Sequence, residues 1–201
     1  MIVTRIEAVT KTKYKIEIDG EFAFVLYKGE LSQYRIRQDE EITEEVYDRI
    51  RRDVILKRAK LRAMHLLTDM ARTEAGLRTK LKQAMYPEDI IEQAIQYVSS
   101  FGYLNDSQYA ENLILSKKDS KSKREIYAML CEKGVSRDII DHAFENCYED
   151  GEENAIRQLI RKKNVDVLHA SEKELHKLYG YLARKGFRYE DIRRVIENIA
   201  E

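Results

Sequence analysis

"LCEKGVSRDIIDHAF", residues 130–144, decides the fold because its pattern occurs three times. It aligns with "LKQAMYPEDIIEQAI" (81–95) and "LARKGFRYEDIRRVI" (182–196). Leu81, Leu130 and Leu182 correspond, as do Tyr86, Val135 and Phe187, and then Ile91, Ile140 and Ile192. One helix earlier, Leu77, Ile126 and Leu178 fall in line at the same offsets. Gly134 and Gly186 stand where a helix would end in the left-handed conformation that glycine adopts without a Cβ penalty. Ser136 can then cap the next helix. In the first copy Met85-Tyr86-Pro87 replaces the glycine turn, with Pro87 suited to a first helical position, which predicts a differently shaped bend. A period of about 50 residues, three helices to each, identifies a tandem helical array. Units of this kind bury their apolar stripes against their neighbours, and the expected body is elongated and curved.

Upstream the pattern changes. "YKIEIDGEFAFVLY" (14–27) alternates around Asp19-Gly20, with Tyr14, Ile16 and Ile18 before the pair and Phe22, Phe24 and Leu26 after it. That is a hairpin signal, because a type I′ turn needs positive φ at both central residues. "VTRIEAVT" (3–10) supplies a third strand. A lone hairpin is marginal in water, so the small sheet must lean on the helical part of the chain. "QDEEITEEVYD" (38–48) carries six carboxylates and no cation, with Thr43 as an N-cap and Glu44 and Glu45 in the positive first turn. The predicted fold class is mainly α: three three-helix repeats preceded by a small antiparallel β element. The predicted organisation is 1–42 β-rich extension, 43–104 first unit, 105–150 second and 151–201 third.

"FGYLNDSQYA" (101–110) reads as the joint between the first two units. Gly102 ends one helix, Asn105 caps the next, and Gln108 can reach back as in a capping box. Leu104 and Tyr109 occupy the two positions of a hydrophobic staple. The joint would fix the angle at which the units pack.

Composition agrees with helices. Charged residues make up 36% of the chain, with one Pro and eight Gly, and the 43% hydrophobic content is too high for wholesale disorder. No apolar run approaches the ~20 residues of a membrane helix, and the N-terminus lacks a signal peptide's apolar core. Cys131 and Cys147 lack metal or redox spacing and read as reduced thiols. A soluble, cytoplasmic protein is expected.

Catalytic signatures are missing from the sequence. His65, His142, His169 and His176 share no ligand at metal spacing, and no phosphate loop, nucleophile elbow or dinucleotide fingerprint occurs. We expect no enzyme activity, no cofactor and no metal.

Lys plus Arg equals Asp plus Glu at 36 each, so the distribution of charge is what carries information. Basic residues gather three times: Arg51 to Lys82, Lys117 to Lys133, and "RQLIRKK" (157–163). Asp138 to Glu153 holds seven acids and no cation. Each cluster alone reads as a solvated helix face. Three in successive units point to a basic ridge for phosphates or for an acidic protein groove.

"GYLNDSQYA" together with "SKSKREIYAMLCEKGV" downstream resembles the central signature of the RecX family, regulators of the recombinase RecA. "ARTEAGLRTKL" (71–81) is similar to the family's first-unit segment, with Arg72, Thr73, Leu77, Lys80 and Leu81 on its motif positions. Gly102, Tyr103, Leu104, Asp106, Tyr109 and Ala110 fall on the central signature, and Lys133, Gly134 and Val135 on its closing turn. Gly76 departs from the pattern where an acid is usual, and Met85-Tyr86 where Lys-Gly is common.

The resemblance implies a non-enzymatic modulator that lies along the helical groove of the RecA–DNA filament. It would restrain ATP hydrolysis, strand exchange and co-protease activity. The expected contacts are Lys117, Lys118, Lys121, Lys123, Arg124, Lys133, Arg157, Arg161, Lys162 and Lys163, with a secondary cluster of Arg58, Arg62, Arg72, Arg78, Lys80 and Lys82. The expected partners are the RecA filament and single- and double-stranded DNA, engaged by a monomer. The alternative is a DNA-binding module of helix-turn-helix type that acts without RecA.

Overall fold

Asp19 and Gly20 both take positive φ, 50° and 85°, and turn the chain between β2 (Lys13–Ile18) and β3 (Glu21–Tyr27). β1 (Val3–Ala8) pairs antiparallel on the other side of β2, so the sheet order is β1-β2-β3. The register slips once between β2 and β3, where Ile16 faces Phe24 but Glu17 faces Phe22, leaving Ala23 as the extra residue of a bulge. A slip of one residue swaps faces. Phe22, in step with Phe24 and Leu26 in the sequence alternation, is therefore 39% exposed, with the Lys15 ammonium 5.7 Å from its ring centroid. Ala23, Phe24, Val25 and Leu26 are all buried.

The computed structural model describes residues 1–148 and 152–200. The predicted boundary at 150/151, and Glu149 and Asp150 of the acidic run, lie outside these residues. The chain divides into two compact units, Met1–Asn105 and one that begins at Asp106.

In the N-terminal unit a short helix, α1 (Lys28–Gln33), comes after the sheet inside a segment expected to be β-rich. α2 (Glu44–Ile50) starts at Thr43, whose hydroxyl accepts the Val46 N–H at 3.4 Å. A π-helical segment, Arg51–Leu56, joins it to α3 (Lys57–Asp69). α4 (Glu74–Gln83) and α5 (Glu88–Ser100) complete the first three-helix repeat. Sheet and helices share one buried cluster, with Ile16, Phe24 and Leu26 packed among Ile50, Ile55, Leu77, Leu81 and Ile91. The hairpin thus has the apolar support it needs.

The second unit holds two repeats with separate cores. α6 (Asp106–Lys117), α7 (Lys123–Glu132) and α8 (Arg137–Cys147) enclose Ile114, Ile126, Leu130, Ile140 and Phe144. α9 (Glu153–Lys162), α10 (Glu172–Arg184) and α11 (Tyr189–Ala200) enclose Ile156, Leu178, Leu182, Phe187 and Ile192.

The same helix corner ends the middle helix of each repeat. Gly134 and Gly186, at φ 77° and 97°, donate to Cys131 O and Ala183 O, while Val135 and Phe187 donate to Leu130 O and Leu182 O. This crossed pair of bonds is the Schellman motif, and the aligned Leu and Val/Phe are its paired apolar positions. Met85 corrects the expectation of a different bend. At φ 60° it donates to Lys82 O, and Tyr86 donates to Leu81 O, so the same corner is made with a methionine at the left-handed position. Pro87 also sits one step earlier than expected: at φ −58°, ψ 149° it is the N-cap, and the helix begins at Glu88. Gly102, at φ 72°, closes α5 in the same way, with Tyr103 donating to Val98 O. Leu104 packs on the N-terminal core, and Tyr109 on that of the second repeat.

Candidate interaction surface

The secondary basic cluster is largely engaged within the protein. Arg78 pairs with Glu74 (3.0 Å), Glu88 (3.3 Å) and Glu92 (2.8 Å), tying α4 to α5, and Lys82 reaches Glu88 at 3.0 Å. Arg72 donates to Leu66 O at 3.1 Å, and Lys80 to the Gln83 amide oxygen at 3.3 Å. Arg58 donates to Val25 O at 3.1 Å, pairs with Glu30 and lies 4.6 Å from the Tyr27 ring centroid. Arg62 is exposed and makes no ion pair among the described residues.

In the third repeat, Arg161 and Lys162 stand in the last turn of α9, and Lys163 is its C-cap, 4.7 Å from the Tyr181 ring centroid. Cations at a helix C-terminus are stabilising, so these positions have a sufficient local cause. Arg157 is half-buried one turn earlier on the same helix. Lys133 is likewise the C-cap of α7.

The α6–α7 corner is different. Lys117 ends α6, and the Lys118 and Lys121 amides fold back onto Ile114 O and Lys117 O in a tight turn. Ser122, fully buried, caps α7 by accepting the Glu125 N–H at 3.1 Å. Lys121, Lys123 and Arg124 thus crowd the positive pole of α7, where the dipole disfavours cations. Lys121 has Glu125 as a partner, whereas Lys117, Lys118 and Arg124 form no ion pair among the described residues. The helix dipole favours Lys117 at the end of α6, but it does not account for Lys123 and Arg124 at the start of α7.

Arg124 and Lys123 also edge a cleft of ≈ 870 Å³ between α7 and the α10–α11 corner, lined by Tyr127, Tyr148, Glu152 and Arg188 among others. The Lys123 ammonium lies 5.0 Å and 5.9 Å from the ring centroids of Phe144 and Tyr148. The Glu152 carboxylate accepts the Lys123 backbone N–H. Burial is the main cause that raises the Glu152 carboxyl above its ordinary range, and Asp191 adds to it, while the Lys123 amide, Arg188 and the Lys123 charge oppose. Burial also pushes the Tyr148 phenol up, helped by Glu152, Asp119 and Asp191. Sequence reading missed Tyr148, Glu152 and Arg188, because residues so far apart in the chain show no shared spacing.

A carboxyl whose folded pKa is raised binds its proton more tightly when folded, so its ionisation costs stability as pH rises past the unfolded value. Glu152→Gln keeps an acceptor for the Lys123 amide and removes that charge. The variant should melt above the parent at pH 7.5, with the gap closing as pH falls toward 4. A gap independent of pH in thermal melts would assign the effect to packing.

Among the described residues no group of three His, Cys, Asp or Glu is arranged to hold a metal, and no helix is long and apolar enough to cross a membrane. Cys131 and Cys147 are not joined in a disulfide.

Family models of the three RecX three-helix domains match this chain in order: the first over residues 59–97, the second over 105–143 and the third over 150–196. The chain belongs to the RecX family. It is 34% identical over 199 residues to "Regulatory protein RecX" of Caldanaerobacter subterraneus subsp. tengcongensis, covering 98% of both chains. It is 27% identical over 203 residues to the protein of that name from Clostridium beijerinckii, covering 98% of this chain and 95% of the relative. A crystal structure of regulatory protein RecX shares the fold at a TM-score of 0.65 and 23% identity over 98% of both chains. The RecX structure from Lactobacillus salivarius gives 0.59 at 24% identity over 72% of this chain and 96% of that one. The RecX models begin at residue 59, so the sheet, α1 and α2 precede the matched domains, although the full-length relatives align across them as well.

Proposed function

We propose that this chain is a non-enzymatic, cytoplasmic regulator that binds the RecA–DNA filament along its helical groove and restrains RecA's ATP hydrolysis, strand exchange and co-protease activity. The observation that carries this reading is the α6–α7 corner: Lys117 and Lys118 at the end of α6 meet Lys121, Lys123 and Arg124, which gather at the positive pole of α7 against the local electrostatic preference. Phosphates or carboxylates of a partner would offset that repulsion. Membership of a family of regulatory proteins agrees with it. The filament presents repeating subunits beside phosphates, and a repeat protein can engage several of them at once, gaining avidity without new contacts. Cations at α9 and at the first repeat would act as secondary contacts.

Titrating the protein into RecA with single-stranded DNA and ATP should suppress ATP turnover well before the DNA is saturated. Turnover that stays constant across the titration would refute the reading.

A further inference from the structure

We propose that a groove in the N-terminal unit is a docking site for an acidic peptide segment carrying an apolar anchor side chain. The groove, ≈ 530 Å³, opens where the sheet, α3 and the α4–α5 corner meet. Four basic side chains line it, Lys13, Arg58, Arg62 and His65, and no carboxylate does. Two of the four are already engaged: Arg58 with Glu30 and Val25 O, and His65 at 3.5 Å from Asp69. Lys13 and Arg62 make no ion pair among the described residues, and they are the charges available to a ligand.

Between these basic groups the lining is mostly aliphatic, with the Tyr27 and Tyr86 rings beside it. Val25 and Ile55 are buried beneath it, Leu61 stands on α3 at 68% exposure, and Met85 projects from the strained corner. An unbranched methionine beside an uncovered leucine can mould to an apolar side chain of varied shape. Such a surface, rimmed by cations without ion-pair partners, complements a peptide whose apolar residue is flanked by Asp or Glu. A nucleic-acid strand fits it less well, because bases stack on open aromatic faces. Tyr27 already carries Arg58 at 4.6 Å and Lys13 at 5.4 Å from its ring centroid, and Tyr86 is half-buried in the core. This inference stands apart from the filament reading, since its test contains neither RecA nor DNA filament.

The test is fluorescence anisotropy on the full chain with a short labelled peptide in which a Leu-Phe pair is flanked by Asp and Glu. Saturable binding is expected. Replacing Lys13 and Arg62 together by Glu should weaken it by about tenfold, as should Leu61→Ser alone. Leu61 and Arg62 are exposed and Lys13 is half-buried, so the variants should keep the parent's far-UV circular dichroism spectrum, which verifies that they fold. Peptides with the acids replaced by amides, or the Leu-Phe pair replaced by serines, should bind less tightly by a similar factor. The idea fails if binding does not saturate, if the serine peptide binds as well as the parent, or if the variants bind like the wild type. It fails too if a single-stranded oligonucleotide occupies the groove in a Leu61-dependent way and the peptide does not.

Discussion

Replacing Gly186 with alanine is expected to cost about 2–5 kcal/mol of stability, the sum of a backbone and a packing penalty. Left-handed backbone alone charges a non-glycine residue about 1–2 kcal/mol. At this corner a Cβ would also come within 2.8 Å of the Ser122 hydroxyl oxygen, 3.2 Å of Arg124 Cβ and 3.3 Å of Arg124 Cδ. Ser122 cannot step aside freely, because it is fully buried, caps α7, and donates its hydroxyl proton to Lys185 O at 2.7 Å. Overpacking of this type adds about 1–3 kcal/mol. Gly102→Ala is the comparison: its φ is 72°, yet nothing lies within 4 Å of the added carbon, so only the backbone penalty of about 1–2 kcal/mol applies. Urea midpoints monitored by circular dichroism should rank the two variants in that order. Equal losses would mean that the contact with Ser122 carries no weight.

The second large effect concerns binding. Charge reversal of Lys117, Lys118, Lys121, Lys123 and Arg124 to Glu should weaken association with RecA filaments on single-stranded DNA by about two orders of magnitude. Each reversed contact contributes somewhat under ~1 kcal/mol at an exposed interface. Where the contacts are phosphates, the dependence of log affinity on log salt should also flatten by about 0.7 for each one lost. The same reversal at Arg157, Arg161, Lys162 and Lys163 should act mainly on the stability of α9, because Arg161, Lys162 and Lys163 already favour the pole they occupy. If both sets weaken binding alike, the α6–α7 corner has no special place. If neither does, both are solvated faces.

Much of the fold was legible in the sequence because a helix corner has few chemical solutions. Leu81, Leu130 and Leu182, with their partners five residues on, repeat because the crossed hydrogen bonds bring those two side chains together. Asp19-Gly20 announced the hairpin for an equally local reason. The bulge at Ala23, which turns Phe22 out of step with Phe24 and Leu26, was not legible, since slipping the register of an alternating strand leaves its composition unchanged. Nor was Met85 at positive φ, where a tertiary corner overrides a side chain's own preference. The basic clusters could be counted in sequence but not weighed. Only the structure separates Arg78, held by three carboxylates, from Lys117 and Lys118, which are held by none among the described residues.

The bond from Ser122 to Lys185 spans 63 positions and joins the start of one repeat's middle helix to the corner of the next. Arrays of repeats hold together through such nearest-neighbour couplings, and without them each module would open alone. Here the cap of α7 is completed by the next repeat, so the two modules should fray as one cooperative foldon. Amide protons at the first turn of α7 would then exchange with solvent at the rate of that joint opening, although the helix itself is only 10 residues long.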